Sequence, residues 1–192
     1  MNTVINDVDY GPLAQLIGRW VGSKGMDTAP DSDANPDKSS FTDEIVFTAS
    51  GPATNAEEQN LVSVRYHHVV RKLENGHIFH DQIGHWIYES STNTIMHSLS
   101  IPRAVCLLAG GEYRERHGES LFSVEAKAGD ETYGIVQSPF MLKKAQTKAF
   151  QMHLSVKGNE LNYREVTSLY IYGKDFEHID QSTLFRVLYE QD

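Results

Sequence analysis

Three histidines, His77, His80 and His85, fall within the stretch NGHIFHDQIGHWIYE, Asn75 to Glu89. Imidazoles this close together make a transition-metal site the first chemistry to weigh. Strand geometry argues against it, because successive side chains face opposite ways: His77 and His85 share one face and His80 takes the other. His77 and His85 would also stand about 26 Å apart at roughly 3.3 Å per residue, too far to share one ion. A bulge at Gly84 would change the parity locally without closing that distance. No Cys or His pair elsewhere has the spacing of a structural zinc site. Covalent catalysis has no signature either: there is no Gly-x-Ser-x-Gly elbow, no Cys and His in a matching context, and no Gly-rich phosphate loop. The acid pairs Asp43-Glu44 and Glu57-Glu58 are adjacent, so on a strand their carboxylates diverge.

What remains is a set of single groups. His67 and His68 are neighbours, and if Val62, Val64, Tyr66 and Val70 face inward then His68 does too. His97 and His153 lie in strand-like runs and read as wall histidines with hydrogen-bond partners, while His117 in RERHGE reads as exposed. Trp86 is a core aromatic whose ring could also stack on a flat ligand. Arg65, Arg103, Arg164 and Arg186 lie in or beside strand-like runs, and any one that points inward could hold a carboxylate bidentately. Cys106, inside AVCLLAG, reads as a small buried hydrophobe; as the only cysteine it can form no internal disulfide, which fits a reducing compartment.

The elements that must position these groups are mostly strands. GPLAQLIG puts Pro12 at a first helical position and Leu13, Leu16 and Ile17 on one face, so a short N-terminal helix is predicted, ended by Gly18. From Arg19 the pattern turns to period two. Strand-like runs follow in FTDEIVFTAS, NLVSVRYHHVVRKL, TIMHSLSI, AVCLLA, SLFSVEAK, YGIVQS, FQMHLSVKG, LNYREVTSLYIY and STLFRVLYE. Asn75-Gly76 predicts a type I′ hairpin turn, and Gly110-Gly111, Gly129-Asp130 and Gly158-Asn159 predict further turns. PFMLKKAQTKA, Pro139 to Ala149, is the other helical candidate, its three lysines forming a solvated face.

A chain of 192 residues with 40% hydrophobic content suits one domain spanning 1–192, with a flexible terminus over 1–9 and an exposed acidic loop over 27–40. About ten short strands joined by tight turns predict an all-β fold, a closed antiparallel β-barrel or a sandwich. The net charge of −9 excludes a phosphate-binding face, so no nucleic-acid partner is expected, and an anionic membrane surface is disfavoured for the same reason. The N-terminal stretch lacks a basic region and a long apolar run, and no later segment approaches the ~20 apolar residues of a transmembrane helix. A soluble cytoplasmic protein is expected.

The segment GRW, Gly18 to Trp20, resembles the first-strand signature of calycins, the superfamily of lipocalins and fatty-acid-binding proteins. Together, YGPLAQLIGRWVGSKG, a downstream GHW on a hairpin strand and LNYRE with FEH near the C-terminus resemble nitrobindin and its relatives, a heme-binding β-barrel family also found fused to THAP-type zinc-finger proteins. In GHW, His85 stands where that pattern usually has Tyr. The resemblance settles the choice on a closed barrel of about ten strands with the short helix bracing one end. It implies heme b in the lumen, with His178 in FEHIDQSTLFRV as the axial ligand of the heme iron and His68 and Trp86 as further cofactor contacts. Peroxynitrite isomerisation or nitric oxide binding at ferric heme is implied as the activity. The alternative is a non-catalytic carrier of a fatty acid or similar small hydrophobic ligand, anchored by an inward arginine. An unpaired barrel edge or exposed tyrosines could support a homodimer.

Overall fold

Alternating polarity along the chain produces an almost purely antiparallel β structure in the computed structural model, which describes residues 2–188. The first strands, β1 (Val4–Ile5) and β2 (Val8–Asp9), pair across Asn6 and Asp7. Both of these residues have positive φ (49° and 63°), so the stretch expected to be a flexible terminus closes on itself in a primed turn. The predicted helix is a 3-10 turn, Gly11–Gln15, with Leu13 and Leu16 fully buried.

The chain then runs through β3 (Gly18–Pro30), β4 (Pro36–Ala56), β5 (Gln59–Lys72), β6 (Ile78–Glu89), β7 (Thr94–Ile101), β8 (Val105–Arg116) and β9 (Glu119–Lys127). After the short β10 (Ile135–Gln137) and helix α1 (Pro139–Lys144) come β11 (Ala145–Lys157), β12 (Glu160–Ile171) and β13 (Lys174–Arg186). Ten strands form a closed barrel: β3 to β9 in order, then β11, β12 and β13, with β13 pairing back to β3. The extra strand is β10. It pairs with the first residues of β8, whose later residues pair with β9.

Four local expectations are corrected. Residues 27–40 are mostly strand, because β3 runs to Pro30 and β4 begins at Pro36. The Asp31 carboxylate organises the short link between them by accepting the N–H groups of Asp33 and Asn35 at 2.9 and 2.8 Å. The Asn75-Gly76 turn is longer than type I′: only Gly76 has positive φ (72°), and its N–H reaches Lys72 O at 2.9 Å, while Asn75 Oδ1 accepts the His77 N–H at 2.9 Å. Gly110 and Gly111 lie inside β8, where Tyr133 and the Ser123 carbonyl press so close that any Cβ would collide. Only Pro139–Lys144 of the second helical candidate is helix, and from Ala145 the chain is β11.

The lumen divides into two halves. In the lower half Trp20, Trp86, Phe122, Leu154 and Leu161 are almost completely buried. Each contributes roughly 1.5–3 kcal/mol through burial of apolar surface. Trp20 Nε1–H donates to Leu16 O at 2.7 Å, and the Arg186 guanidinium lies 4.1 Å over the Trp20 ring while donating to Gln15 O at 2.6 Å. The 3-10 turn is thereby clamped under the barrel, so this end is shut.

Candidate functional site

The upper half of the lumen remains open because its inward side chains are smaller or polar. A cavity of about 1150 Å³ lies between the starts of β6, β8, β11 and β13 and the ends of β7 and β12, with α1 across part of its mouth. That exceeds the ~300–1,000 Å³ usual for ligand pockets. Leu99, Ile101, Leu107, Met141, Phe150 and Leu169 supply apolar wall, and His80, Gln82, Glu165, His178 and Asp180 supply polar groups.

His178 faces the cavity because β13 alternates inward at Phe176, His178, Asp180, Ser182 and Leu184. Its Nε2 lies 2.9 Å from Asp27 Oδ1 and 3.3 Å from Asp180 Oδ2. Asp27 and Asp180 are cross-strand partners on β3 and β13, a pairing of like charges that is unfavourable without a cation between them. The imidazole is placed to be that cation. Burial opposes its charged form, but the hydrogen bond to Asp27 and the charges of Asp180, Asp27 and Glu165 outweigh burial and raise its pKa above the ordinary histidine value. Burial, reinforced by Asp27 against the opposing pull of His178, pushes Asp180 up to about 6. Asp27, His178 and Asp180 each offer a ligating atom within 4.8 Å of the others, so one imidazole and two carboxylates converge on a single spot.

Glu165, inward on β12, is pushed up to about 8, first by burial and then by the charge of Asp180. It is therefore mostly protonated in the folded barrel at pH 7 but ionised in the unfolded chain, so stability falls as pH rises from about 4.5 towards 8. Glu165→Gln removes that penalty. Discounted for the cavity's access to solvent, the gain is expected to be about 2 kcal/mol at pH 7 and to vanish below pH 4. Urea melts at the two pH values measure it, and an equal difference at both would mean that ionisation of Glu165 is not its source.

A second polar group hangs from β6. Gln82 Nε2–H donates to Tyr66 Oη at 2.6 Å, Tyr66 Oη lies 2.8 Å from His97 Nε2, and His80 Nε2 lies 3.0 Å from Gln82 Oε1. Burial and the nearby His68 lower His80 to about 4 and His97 to about 3, so both are neutral at pH 7. A neutral His80 donates Nε2–H to Gln82, which leaves Nδ1 as a lone-pair acceptor on the cavity wall. The third group is fully enclosed: Asp43 accepts Tyr163 Oη–H at 3.0 Å and Ser182 Oγ–H at 2.9 Å, and His68 Nε2 stands 3.4 Å from Asp43 Oδ2. Gly22 makes room for it, since a Cβ there would lie 2.2 Å from Asp43 Oδ1.

Of the three cofactor contacts expected from the sequence, His178 alone borders the cavity. His68 does face inward on β5 with Val64, Tyr66 and Val70, but it is buried against Asp43 and Tyr163. Trp86 lies in the closed half, stacked on His97 with ring centroids 4.3 Å apart, and does not reach the cavity wall. His77 is exposed in a turn and His85 is exposed on the outer face. His80, which the sequence reading set aside, lines the cavity; its shared parity with Gln82 and Trp86 was the signal that it faces in. Among the arginines, Arg65 and Arg164 are exposed on outward positions, Arg186 clamps the shut end and Arg103 reaches only the mouth, so none supplies an inward anchor for a fatty-acid carboxylate. Cys106 is exposed rather than buried, because Val105 and Leu107 take the inward parity of β8. No helix among the described residues is long and apolar enough to cross a membrane.

Comparison with known proteins agrees with this architecture. The model of the THAP4-like, heme-binding β-barrel domain family matches residues 9–186. The crystal structure of Rv2717c from M. tuberculosis superposes with a TM-score of 0.71 at 18% identity, covering 92% of this chain and 95% of that one. No curated protein sequence matches significantly.

Proposed function

This chain belongs to the THAP4-like, heme-binding β-barrel domain family, and from that premise we propose that its open half-lumen binds heme b with His178 as axial ligand. The observation that carries the proposal is the position of His178, a partly buried imidazole on the wall of a large, mainly apolar cavity. The residues suit the group in kind, since a single imidazole suffices for a five-coordinate b-type site and apolar wall covers a macrocycle. When bound, the ferric iron would supply a Lewis acid for converting peroxynitrite to nitrate, or a binding site for nitric oxide. Leu99, Ile101, Leu107 and Phe150 exclude water around the ligand. On β6, four strands around the barrel from β13, His80 offers an acceptor nitrogen to whatever occupies the cavity.

His178 must meet one condition. In the ligand-free barrel its Nε2 is turned to Asp27, and an imidazolium has no lone pair for iron, so uptake requires that nitrogen to release its proton. Because the His178 pKa is raised, hemin affinity is expected to grow as pH rises through it, and to fall by about tenfold per unit well below it. Asp27→Asn removes the carboxylate that holds the proton and should move this profile to lower pH. Hemin titrations followed at the Soret band from pH 6 to 9 test both points. No Soret change with excess hemin at pH 8 would end the proposal, and an affinity flat across the range would remove His178 deprotonation from it.

A further inference from the structure

The charges around the cavity are segregated by depth. Inside, Asp180 and Glu165 line the wall beside His178, with Asp27 directly behind, and no lysine or arginine lies among them. At the mouth stand Arg103, Lys143 and Lys144, all exposed, and none is paired with a carboxylate among the described residues. The other acid bordering the cavity, Asp81, is already paired with His67 at 2.9 Å on the outer face. The whole chain carries −9, so three unpaired cations together at the mouth run against its overall charge.

Their placement is built. α1 is fixed by buried Met141, by Ser138 Oγ accepting the Met141 N–H at 3.3 Å, and by the Gln137 side chain, which makes two 2.8 Å hydrogen bonds to the Thr147 backbone. The Ser138 N–H donates to Ala104 O at 3.0 Å, tying α1 to the β7–β8 turn that carries Arg103. Two separate elements are thus locked together with their cations on one side of the opening.

We infer that Arg103, Lys143 and Lys144 form a carboxylate-binding rim, which fixes the orientation of an amphiphilic acid: apolar body inside, acid group at the mouth. This rests on the lumen-binding reading above and deepens it. A carboxylate carried deeper would meet Asp27 and Asp180, which already share His178 between them, whereas at the mouth it meets lysine and arginine. The shared chemistry is a carboxylate on a large apolar body, which a tetrapyrrole with propionates and a long-chain fatty acid both provide.

The test uses the full chain, wild type and Arg103→Gln/Lys143→Gln/Lys144→Gln, with hemin, hemin dimethyl ester in matched cosolvent, and oleate as probes. The substituted residues are exposed, so the melting temperature should be unchanged. Wild type should bind hemin about tenfold more tightly than the triple variant at low salt, a gap that narrows as salt is added. The diester should bind both proteins alike. If the natural acid is a fatty acid, oleate shows the same gap and hemin binds neither protein, which would sink the heme reading while upholding the rim. Equal affinity of the two proteins for every carboxylate probe that binds, or no binding of either probe to wild type, overturns the rim.

Discussion

Asp43→Ala is expected to destabilise the barrel by about 2–5 kcal/mol, because it leaves two buried hydroxyl donors without their acceptor at about 1–3 kcal/mol each. The Asp43 side chain is wholly enclosed between β3, β5, β12 and β13, where it accepts two hydroxyl hydrogen bonds and faces His68. Truncation leaves Tyr163 Oη and Ser182 Oγ without their acceptor and takes away the carboxylate that His68 faces. Against a typical total of about 5–15 kcal/mol, that is a large share of the stability. Asp43→Asn keeps the shape and one acceptor oxygen, and should cost clearly less. Urea unfolding of the three proteins at pH 7 measures the effect, and a loss below about 1 kcal/mol for Asp43→Ala would mean that water satisfies the exposed partners.

How much of this was legible in the sequence follows from the physics of strands. Parity is local, so it correctly placed His68 inward beside Val64, Tyr66 and Val70, and it separated His80 from His85. The same parity, carried from Trp86 back along β6, would have put His80 in the lumen. What it does not give is height along the barrel. Trp86 faces inward yet lies in the closed half, stacked on His97 from β7, and His68, although paired with the cavity residue Gln82, is covered by Asp43 and Tyr163 from other strands.

The acidic surroundings of His178 were hidden for a different reason. Asp27 and His178 are 151 residues apart and meet only when β13 closes on β3. Asp27 stood in a stretch whose prolines, acids and serines suggested a loop, although pairing with β13 and β4 makes its first part a strand. The lysines of Pro139–Ala149 predict, by their spacing, a solvated helix face. They are solvated, but α1 ends at Lys144 and sets Lys143 and Lys144 at the opening of the cavity.

The central claim, that heme binds in the upper lumen through His178, is tested most directly by removing that imidazole. His178→Ala takes away the one histidine in the cavity that the family resemblance marks as the iron ligand, and it leaves Leu99, Leu107, Phe150 and the basic mouth in place. Loss of the imidazole leaves Asp27 and Asp180 facing each other and should cost some stability, so the fold of the variant is checked by circular dichroism and a urea melt before titration. Wild type and His178→Ala are titrated with hemin at pH 8, and imidazole is then added to the variant. The expected result is a sharp 1:1 Soret shift in wild type, its loss or a more than hundredfold weaker transition in His178→Ala, and partial recovery with imidazole occupying the vacated space. An unchanged Soret shift in His178→Ala would contradict the claim and move the iron to another residue, with His80 the next lumen histidine to substitute.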